Sequence, residues 1–297
     1  MINELQSCIQ AIEADDTLYE IENFRHRAQA IDQLDFHILD RISSLTPTPA
    51  LLELQQWAIR LKCKLEQADL LLFTQLRQKI SAGGYSPTTF NAMVSEYLGE
   101  VVDNAAPSDE PGYDDLDTFI NGLLSVYPLP APVLEQEPEM IYYQKTPARI
   151  IFQMVALAQP TPHDVFFDIG SGLGQATILV NLLSGIKSNG IEYEPAYCDY
   201  ARHCISSLQL QGVTFTNINA HQGDYSEGTL FFFYTPFEGS MLQHMLDILQ
   251  RESRQRIIHI FTYGHCSPLV AQQSWLTCIN GTGMHHYRLY RFTSEYQ

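Results

Sequence analysis

The sequence predicts a doubly wound α/β fold with a seven-stranded sheet, preceded by an all-α region. Three observations predict it. From Met140 onward, short apolar runs alternate with amphipathic helical segments, a pattern typical of a parallel sheet covered on both faces. A glycine-rich stretch, DIGSGLGQ, follows the first of these runs at residues 168–175. Upstream of Met140, apolar residues recur at spacings of three and four instead of alternating, which indicates helices.

Residues 1–125 are predicted to form a helical N-terminal domain. Its clearest helix is marked by one apolar stripe made of Leu51, Leu54, Trp57, Ala58, Leu61, Leu65, Ala68, Leu72 and Leu76. The segment 103–117 contains six acidic residues, no basic residue and two prolines, so we expect an exposed loop there. The helical domain is expected to act as a lid, as a substrate-recognition element or as the surface of a homodimer.

Residues 126–139 are predicted to form a linker between this domain and the one that follows. The segment contains Pro128, Pro130, Pro132 and Pro138. Prolines at this density favour extended backbone over helix.

Residues 140–297 are predicted to form the α/β domain. Five strands are expected. The second ends at Glu192, and the other four span residues 165–169, 213–218, 229–237 and 256–263. The helices between them are expected at 175–183, from Pro195 and around 241–249. The last stretch, 274–292, predicts two antiparallel strands joined at 281–283, a hairpin at the edge of the sheet.

The charge of the chain is negative and unevenly distributed. The 297 residues include 34 Asp and Glu against 17 Lys and Arg, a net charge of −17. Residues 1–139 hold 23 of the acids and 8 of the bases, and the remainder holds 11 and 9. A surface of this sign repels phosphate backbones, so the composition argues against a nucleic-acid partner.

Targeting, membrane and metal signals are not found in the sequence. The N-terminus has no basic region followed by an apolar stretch, and no run approaches the ~18 apolar residues of a membrane span. The six cysteines are scattered, with no C-x-x-C pair and no histidines at zinc-site spacing. We therefore expect a cytoplasmic protein with reduced thiols, no membrane contact and no metal site.

The glycine-rich stretch predicts a ligand site at the carboxyl ends of the strands, where a turn of this kind lets a ligand approach the backbone. Dinucleotides prefer the spacing G-x-G-x-x-G, whereas Gly170, Gly172 and Gly174 are spaced G-x-G-x-G. Asp168 precedes them and would repel a bound phosphate. S-adenosylmethionine has no phosphate and carries an ammonium and a sulfonium, which a carboxylate attracts.

These residues resemble the class I S-adenosylmethionine-dependent methyltransferases, whose first motif is an acidic residue followed by G-x-G-x-G. The resemblance covers about residues 140–297 and implies a Rossmann-like domain that binds S-adenosylmethionine. Within the motif, it implies cofactor contacts from Asp168, Gly170, Ser171, Gly172, Gly174 and Gln175.

The same resemblance implies cofactor contacts outside the motif. Glu192, 24 residues after Asp168, matches the acidic residue that holds the ribose hydroxyls. Asp224 matches the position that contacts the adenine amino group, and its neighbour Tyr225 is included in the predicted site. The segment YYQKTP resembles the one that closes over the methionine end of the cofactor, which adds Tyr143 and Thr146.

The pattern D-x-G-S-G-x-G-Q also resembles the Dot1-type histone-lysine methyltransferases, which share Ser171 and Gln175 with this chain. Those enzymes have an Asn-Asn-Phe run at strand four and basic surfaces for nucleosomes, and this sequence has neither. The similarity therefore supports the cofactor fold and leaves the acceptor open.

The acceptor is expected over the end of strand four, at the residues YTPF, 234–237. Tyr234 and Thr235 are the candidate catalytic residues, and His265 is a candidate general base. The segment lacks the amide and the second proline of enzymes that methylate amines of nucleic-acid bases. The predicted function is in-line methyl transfer to a small molecule. The alternatives are a methyltransferase for a cationic protein (lysine or another amine) and a non-catalytic scaffold that binds S-adenosylmethionine.

Overall fold

The computed structural model describes residues 1–83, 85–99, 111–125, 128–281 and 285–295. Its N-terminal half is helical, as predicted. The α-helices are α1 (Ile2–Glu13), α2 (Phe24–Asp32), α3 (Asp40–Ser43), α4 (Pro49–Ser81), α5 (Pro87–Leu98) and α6 (Asp115–Leu124). A π-helical segment, Gln33–Leu39, joins α2 to α3. Within the described ranges, no helix has both the length and the apolar character that crossing a bilayer requires.

Three helices of this half, α4, α5 and α6, begin at side chains that accept hydrogen bonds from their first N–H groups. The Thr48 hydroxyl accepts from Leu51 N (3.3 Å) at the start of α4, where Pro49 occupies the first turn. Asp114 caps α6 by accepting from Leu116 N (2.9 Å). The acidic segment 103–117 therefore ends in a helix and is not a loop throughout. Its residues 103–110 lie outside the described part of the chain.

Seven strands form one mixed sheet, which confirms the predicted fold class. They are β1 (Val165–Ile169), β2 (Lys187–Glu192), β3 (Val213–Asn217), β4 (Leu230–Phe233), β5 (His259–Thr262), β6 (Leu276–Cys278) and β7 (Tyr290–Ser294). Their order is β3-β2-β1-β4-β5-β7-β6. The first five strands are parallel, and β7 runs antiparallel between β5 and β6.

The C-terminal strands pair as predicted, but their connection differs from a tight turn. It runs from residue 279 to residue 289, and part of the turn predicted at 281–283 lies outside the described residues. The remaining helices are α7 (Ala148–Ala158), α8 (Gln175–Ser184), α9 (Pro195–Leu208), α10 (Gly239–Ser253) and α11 (Ser267–Ala271).

Alternating phenylalanines of the strands supply both faces of the sheet. Phe166 and Phe232 belong to the core that includes residues of α7, α8 and α9. Phe167 and Phe231 face the other way, into a second core formed with α10. Successive residues of a strand point to opposite faces, so VFFDI and LFFF fill both layers at once.

The helical half packs directly on the first of these cores. Leu76 of α4, Phe90 of α5 and Phe119 of α6 are buried in it together with residues of α8 and α9. The first half of α4 packs instead with α1 in a separate apolar cluster. The division into domains at 1–125, 126–139 and 140–297 stays a prediction.

Residues 128–147, which we call the strap, cross the carboxyl edge of the sheet. Val133 N and Leu134 N each donate a hydrogen bond to the Glu194 carboxylate, both 2.9 Å long. Further along, Ile141 N donates to Pro236 O (3.2 Å). The proline-rich segment predicted as a linker is therefore attached to the α/β fold beside the ends of its strands.

Candidate functional site

A cavity of about 480 Å³ lies at the carboxyl edge of the sheet. Its walls come from the ends of β1 and β2, the glycine-rich turn after β1, the residues after β4 and the strap. β1 lies between β2 on one side and β4 on the other, so the order of the strands reverses at β1. Ligands of doubly wound folds bind in the crevice at such a reversal of strand order.

The glycine-rich turn adopts a backbone that other residues would strain. Gly170 has φ +77°, and a Cβ there would lie 2.5 Å from the Cβ of Pro236. Gly172 has φ +53°, and its Cβ would lie 2.2 Å from the Tyr143 ring. Gly170 N and Ser171 N both donate to Ile191 O of β2, at 2.9 and 3.0 Å. Gly172 and Gly174 shape the turn but do not line the cavity.

Asp168 is a buried carboxylate at the cavity wall. It accepts a hydrogen bond of 3.0 Å from the Thr177 hydroxyl. Burial, with a smaller contribution from the neighbouring Glu192, raises the pKa of Asp168 to about 7. A buried carboxylate in this state is suited to bind a cationic group, because a positive charge beside it would restore its ionised form.

Glu192, at the end of β2, also lines the cavity. One of its oxygens accepts from Gly172 N (2.7 Å) and the other from Glu194 N (2.8 Å). Burial raises the pKa of Glu192 as well. The side chain is thus held in one position beside the glycine-rich turn.

Three buried polar atoms at the cavity have no hydrogen-bond partner among the described residues. They are Ser171 Oγ, Gln175 Oε1 and the hydroxyl of Tyr234. Gln175 is oriented by its other amide atom, because Nε2 donates to Thr146 O (2.9 Å). Buried polar atoms are normally paired, so these three indicate polar contacts with a ligand.

The strap contributes the aromatic part of the wall. Tyr143 lies over Gly172 and packs against Tyr197 of α9, with ring centroids 5.4 Å apart. Burial raises the pKa of the Tyr143 hydroxyl, so the ring stays neutral. Thr146, the other predicted strap residue, also lines the cavity.

The residues after β4 form the opposite wall. Tyr234 and Thr235 line the cavity together with Pro236 and Phe237. Thr235 has φ +41°, which is unusual for a β-branched residue. Its hydroxyl accepts from Cys266 N (3.2 Å), a contact that holds this conformation.

Besides Gly172 and Gly174, three predicted site residues lie outside the cavity lining. Asp224 is exposed and accepts from Ser226 N (3.0 Å), while Tyr225 is buried and donates its hydroxyl to Ala220 O (2.7 Å). His265 is exposed, and its ring lies 3.9 Å from that of His286. Local hydrogen bonds and packing thus turn all three from the cavity.

Asn219 and Glu194 are among the cavity residues that were not predicted as site residues from the sequence. Asn219 lines the cavity at the end of β3, on the side where Asp224 was expected. It closes a 3-10 turn by accepting from His221 N (3.1 Å). Glu194 also lines the cavity, two residues after Glu192, and the pattern E-x-E in "GIEYE" was the sequence signal that could have identified it.

The described lining of the cavity is acidic. It includes the carboxylates Glu135, Asp168, Glu192 and Glu194 and contains no Lys, Arg or His. A phosphate-bearing ligand would be repelled by the ionised carboxylates here, whereas a cationic nucleoside would be attracted to them.

Comparisons with known proteins agree with this geometry in part of the chain. Residues 139–230 match the family model described as histone methylation protein DOT1. No curated protein matches the chain in sequence.

Solved structures are similar to the chain at low identity. An RNA methyltransferase from Salinibacter ruber in complex with S-adenosyl-L-homocysteine is 21% identical, with a TM-score of 0.40 over 51% of this chain and 92% of that one. Precorrin-6y C5,15-methyltransferase from Geobacter metallireducens GS-15 is 16% identical, with a TM-score of 0.41 over 53% and 93%. A mutant of MtNAS in complex with S-adenosylmethionine is 10% identical, with a TM-score of 0.40 over 100% and 98%.

The DOT1 match extends from the strap to the start of β4, and so includes the glycine-rich turn and the end of β2. The sheet order, with its antiparallel β7, agrees with the fold that the sequence resemblance implies. Residues 139–230 are therefore similar to the DOT1 family, and the seven-stranded sheet has the Rossmann-like order that the methyltransferase resemblance predicts.

Proposed function

We propose that the protein transfers the methyl group of S-adenosylmethionine to a small-molecule acceptor bound between Tyr234 and the strap. The observation that carries the proposal is the charge of the cavity, which has four carboxylates and no cationic side chain in its described lining. Such a site favours a cofactor with two positive charges and no phosphate.

The residues present fit this cofactor. Asp168 suits its ammonium group, and the remaining acceptor capacity of Glu192 suits the ribose hydroxyls. The unpartnered Ser171 Oγ and Gln175 Oε1 supply further polar contacts. Tyr143 and Thr146 of the strap would cover the methionine end, and Asn219, which lines the cavity, would make the adenine contact that the resemblance implies for Asp224.

When bound, the cofactor supplies an electrophilic methyl group with a neutral thioether as leaving group. The chain has to bind the cofactor and the acceptor, align them and exclude water, because in-line displacement depends on alignment of the acceptor. Tyr234 is the residue we assign to acceptor orientation, since its buried hydroxyl has no hydrogen-bond partner in the part of the chain that the structure describes. Thr235 fixes the backbone beside it.

His265, predicted as a general base, is not given a step in this proposal. Its ring is exposed and stacks on His286, outside the described lining of the cavity. An acceptor that loses its proton directly to solvent requires no such base.

The small-molecule acceptor is supported by the strap. Residues 132–144 contribute much of the cavity wall, including Leu134, Gln136 and Tyr142. A wall that crosses the cavity leaves less room for a folded protein surface than for a compact molecule.

A protein amine is the second candidate acceptor. The DOT1 match favours it, and the acidity of residues 1–139 would attract a cationic protein. The third candidate, a scaffold without catalysis, would be favoured by a cavity filled by Tyr234 or Phe237. Both residues form part of the cavity wall.

Two measurements test the proposal. Calorimetry with S-adenosylmethionine, S-adenosylhomocysteine and NADH should show binding of the first two only. The purified protein with methyl-labelled cofactor should then label small molecules from a metabolite extract. Label found only in macromolecules would select the second candidate, and cofactor binding without any labelling would select the third. Binding of NADH alone would overturn the cofactor assignment.

A further inference from the structure

We propose that Glu194 is a positioning residue that clamps the strap over the cavity, and that this clamp limits how fast a bound nucleoside leaves. The inference rests on the proposed function, because it concerns ligand release from the same cavity.

The Glu194 carboxylate joins three parts of the site. One oxygen accepts from both Val133 N and Leu134 N of the strap, each at 2.9 Å. The other accepts from Ala196 N (3.0 Å) and caps α9. The backbone N–H of Glu194 donates to Glu192 Oε1 (2.8 Å). The strap is thereby linked to the ribose-side carboxylate through one residue.

Burial of apolar surface contributes little to holding this end of the strap. Leu129, Val133 and Leu134 remain 66%, 69% and 43% exposed, whereas Glu194 is only 6% exposed. The strap covers the carboxylate, and the two hydrogen bonds to a charged acceptor attach the strap. Bonds of this kind are stronger than neutral ones.

The prolines lower the conformational entropy that the strap loses when it is attached at Glu194. Pro128, Pro130 and Pro132 have no N–H to donate, and they stiffen the backbone before Val133. Adjacent N–H groups such as those of Val133 and Leu134 form a concavity suited to an anion. Little chain entropy is lost when such a segment is fixed at one point.

The other end of the strap is attached more firmly. Glu139 accepts from Ser240 Oγ and Met241 N, at 2.9 and 2.8 Å, and its carbonyl accepts from Glu238 N. Met140 forms a β-bridge with Phe237. The Glu194 end has fewer contacts, two hydrogen bonds against three and a β-bridge, so it is the end that opens. Leu134 and Gln136 line the cavity next to it, which means that opening exposes the ligand.

Two variants test the clamp from opposite sides. Glu194→Ser keeps a residue that caps helices well, but its hydroxyl is too short to reach the strap. Val133→Pro removes one donor and leaves Glu194 and the α9 cap unchanged. Glu137→Gln is the matched control, because it removes a charge from the strap at an exposed side chain.

The measurement is the dissociation rate of S-adenosylhomocysteine, followed by stopped-flow fluorescence. Both clamp variants should release it about tenfold faster or more, with unfolding temperatures close to that of the parent, while the control releases it at the parent rate. Hydrogen exchange of the peptide spanning Val133 and Leu134 should be faster in both variants.

Unchanged dissociation rates in both variants would overturn the clamp while leaving the proposed function intact. A parent protein that does not bind S-adenosylhomocysteine would overturn the proposed function, and the inference with it.

Discussion

The carboxylate of Glu192 accepts a hydrogen bond of 2.7 Å from the backbone N–H of Gly172, so the end of β2 and the glycine-rich turn hold each other in place. Its second oxygen accepts from Glu194 N at 2.8 Å. A carboxylate has about four lone-pair directions, so Glu192 keeps acceptor capacity for a ligand while serving as part of the framework.

Glu192→Ala should therefore lower both cofactor affinity and stability. We expect a loss of about 1 to 3 kcal/mol in binding free energy, because acceptors for ribose hydroxyls disappear. The free energy of unfolding should also fall, since Gly172 N and Glu194 N lose their partner. Calorimetry and urea unfolding measure the two effects. Glu192→Gln keeps one oxygen and should lose less of each, and an alanine variant that binds as tightly as the parent would remove this role.

The raised pKa of Asp168 predicts opposite pH dependences for stability and for binding. Its pKa rises from 3.8 to about 7 on folding, so the folded state binds the proton more tightly than the unfolded state. The free energy of unfolding of the unliganded protein should accordingly fall as the pH rises from about 4 to about 7. Affinity for the cationic cofactor should increase over the same range, because binding needs the ionised carboxylate.

Asp168→Asn separates these two effects. The variant should be more stable than the parent at neutral pH without ligand, and it should bind the cofactor more weakly, with a flatter pH profile. The pKa of Glu192 is also raised by burial, so the free energy of unfolding of the variant should still depend on pH, but less steeply than that of the parent. Urea unfolding and calorimetry from pH 5 to 8 provide the profiles. An affinity that does not change with pH in the parent would contradict the assignment of Asp168.

The close approach of Pro236 to Gly170 predicts that Gly170→Ala is more damaging than its backbone angle alone requires. Gly170 has φ +77° and a Cβ there would lie 2.5 Å from Pro236, while Gly83 has φ +75° and a Cβ there would have no atom of a described, non-adjacent residue within 4 Å. Gly83→Ala is thus a matched control, expected to cost about 1 to 2 kcal/mol for the left-handed backbone. Gly170→Ala should cost more and should also abolish cofactor binding. Equal losses in the two variants would show that the contact with Pro236 does not matter.

Because the hydroxyl of Tyr234 has no hydrogen-bond partner among the described residues, we expect its removal to affect turnover but not to lower stability. A buried polar group without a partner costs about 1 to 3 kcal/mol, so Tyr234→Phe should leave the free energy of unfolding unchanged or increase it. Methyl transfer should slow if the hydroxyl orients the acceptor, while affinity for S-adenosylhomocysteine stays the same. A phenylalanine variant with the parent turnover would exclude Tyr234 from acceptor binding.

Much of the cofactor side of the site could be predicted because it depends on short stretches of chain. A strand, a turn with positive φ and a helix are local structures, so DIGSGLGQ predicts Asp168, Ser171 and Gln175 at the carboxyl edge of the sheet. Glu192 is predicted by the end of the next strand, and the structure brings it to the same cavity.

The side of the cavity proposed for the adenine was less predictable. Asp224 and Asn219 both follow β3, and either position satisfies the family pattern. The 3-10 turn at Ala220–Gln222 decides between them, because it leaves Asn219 at the cavity and carries Asp224 into solvent. Likewise, the position of His265 depends on the connection between β6 and β7, through its contact with His286.

The sequence by itself determined the fold class, the glycine-rich turn and the acidic residues at the ends of β1 and β2, because periodicity and turn chemistry act within a few residues. Only the tertiary structure made the proline-rich segment a wall of the site. That segment is attached through Glu194 across 60 residues of chain, and a contact between two backbone N–H groups and a distant carboxylate leaves no periodic pattern in a sequence.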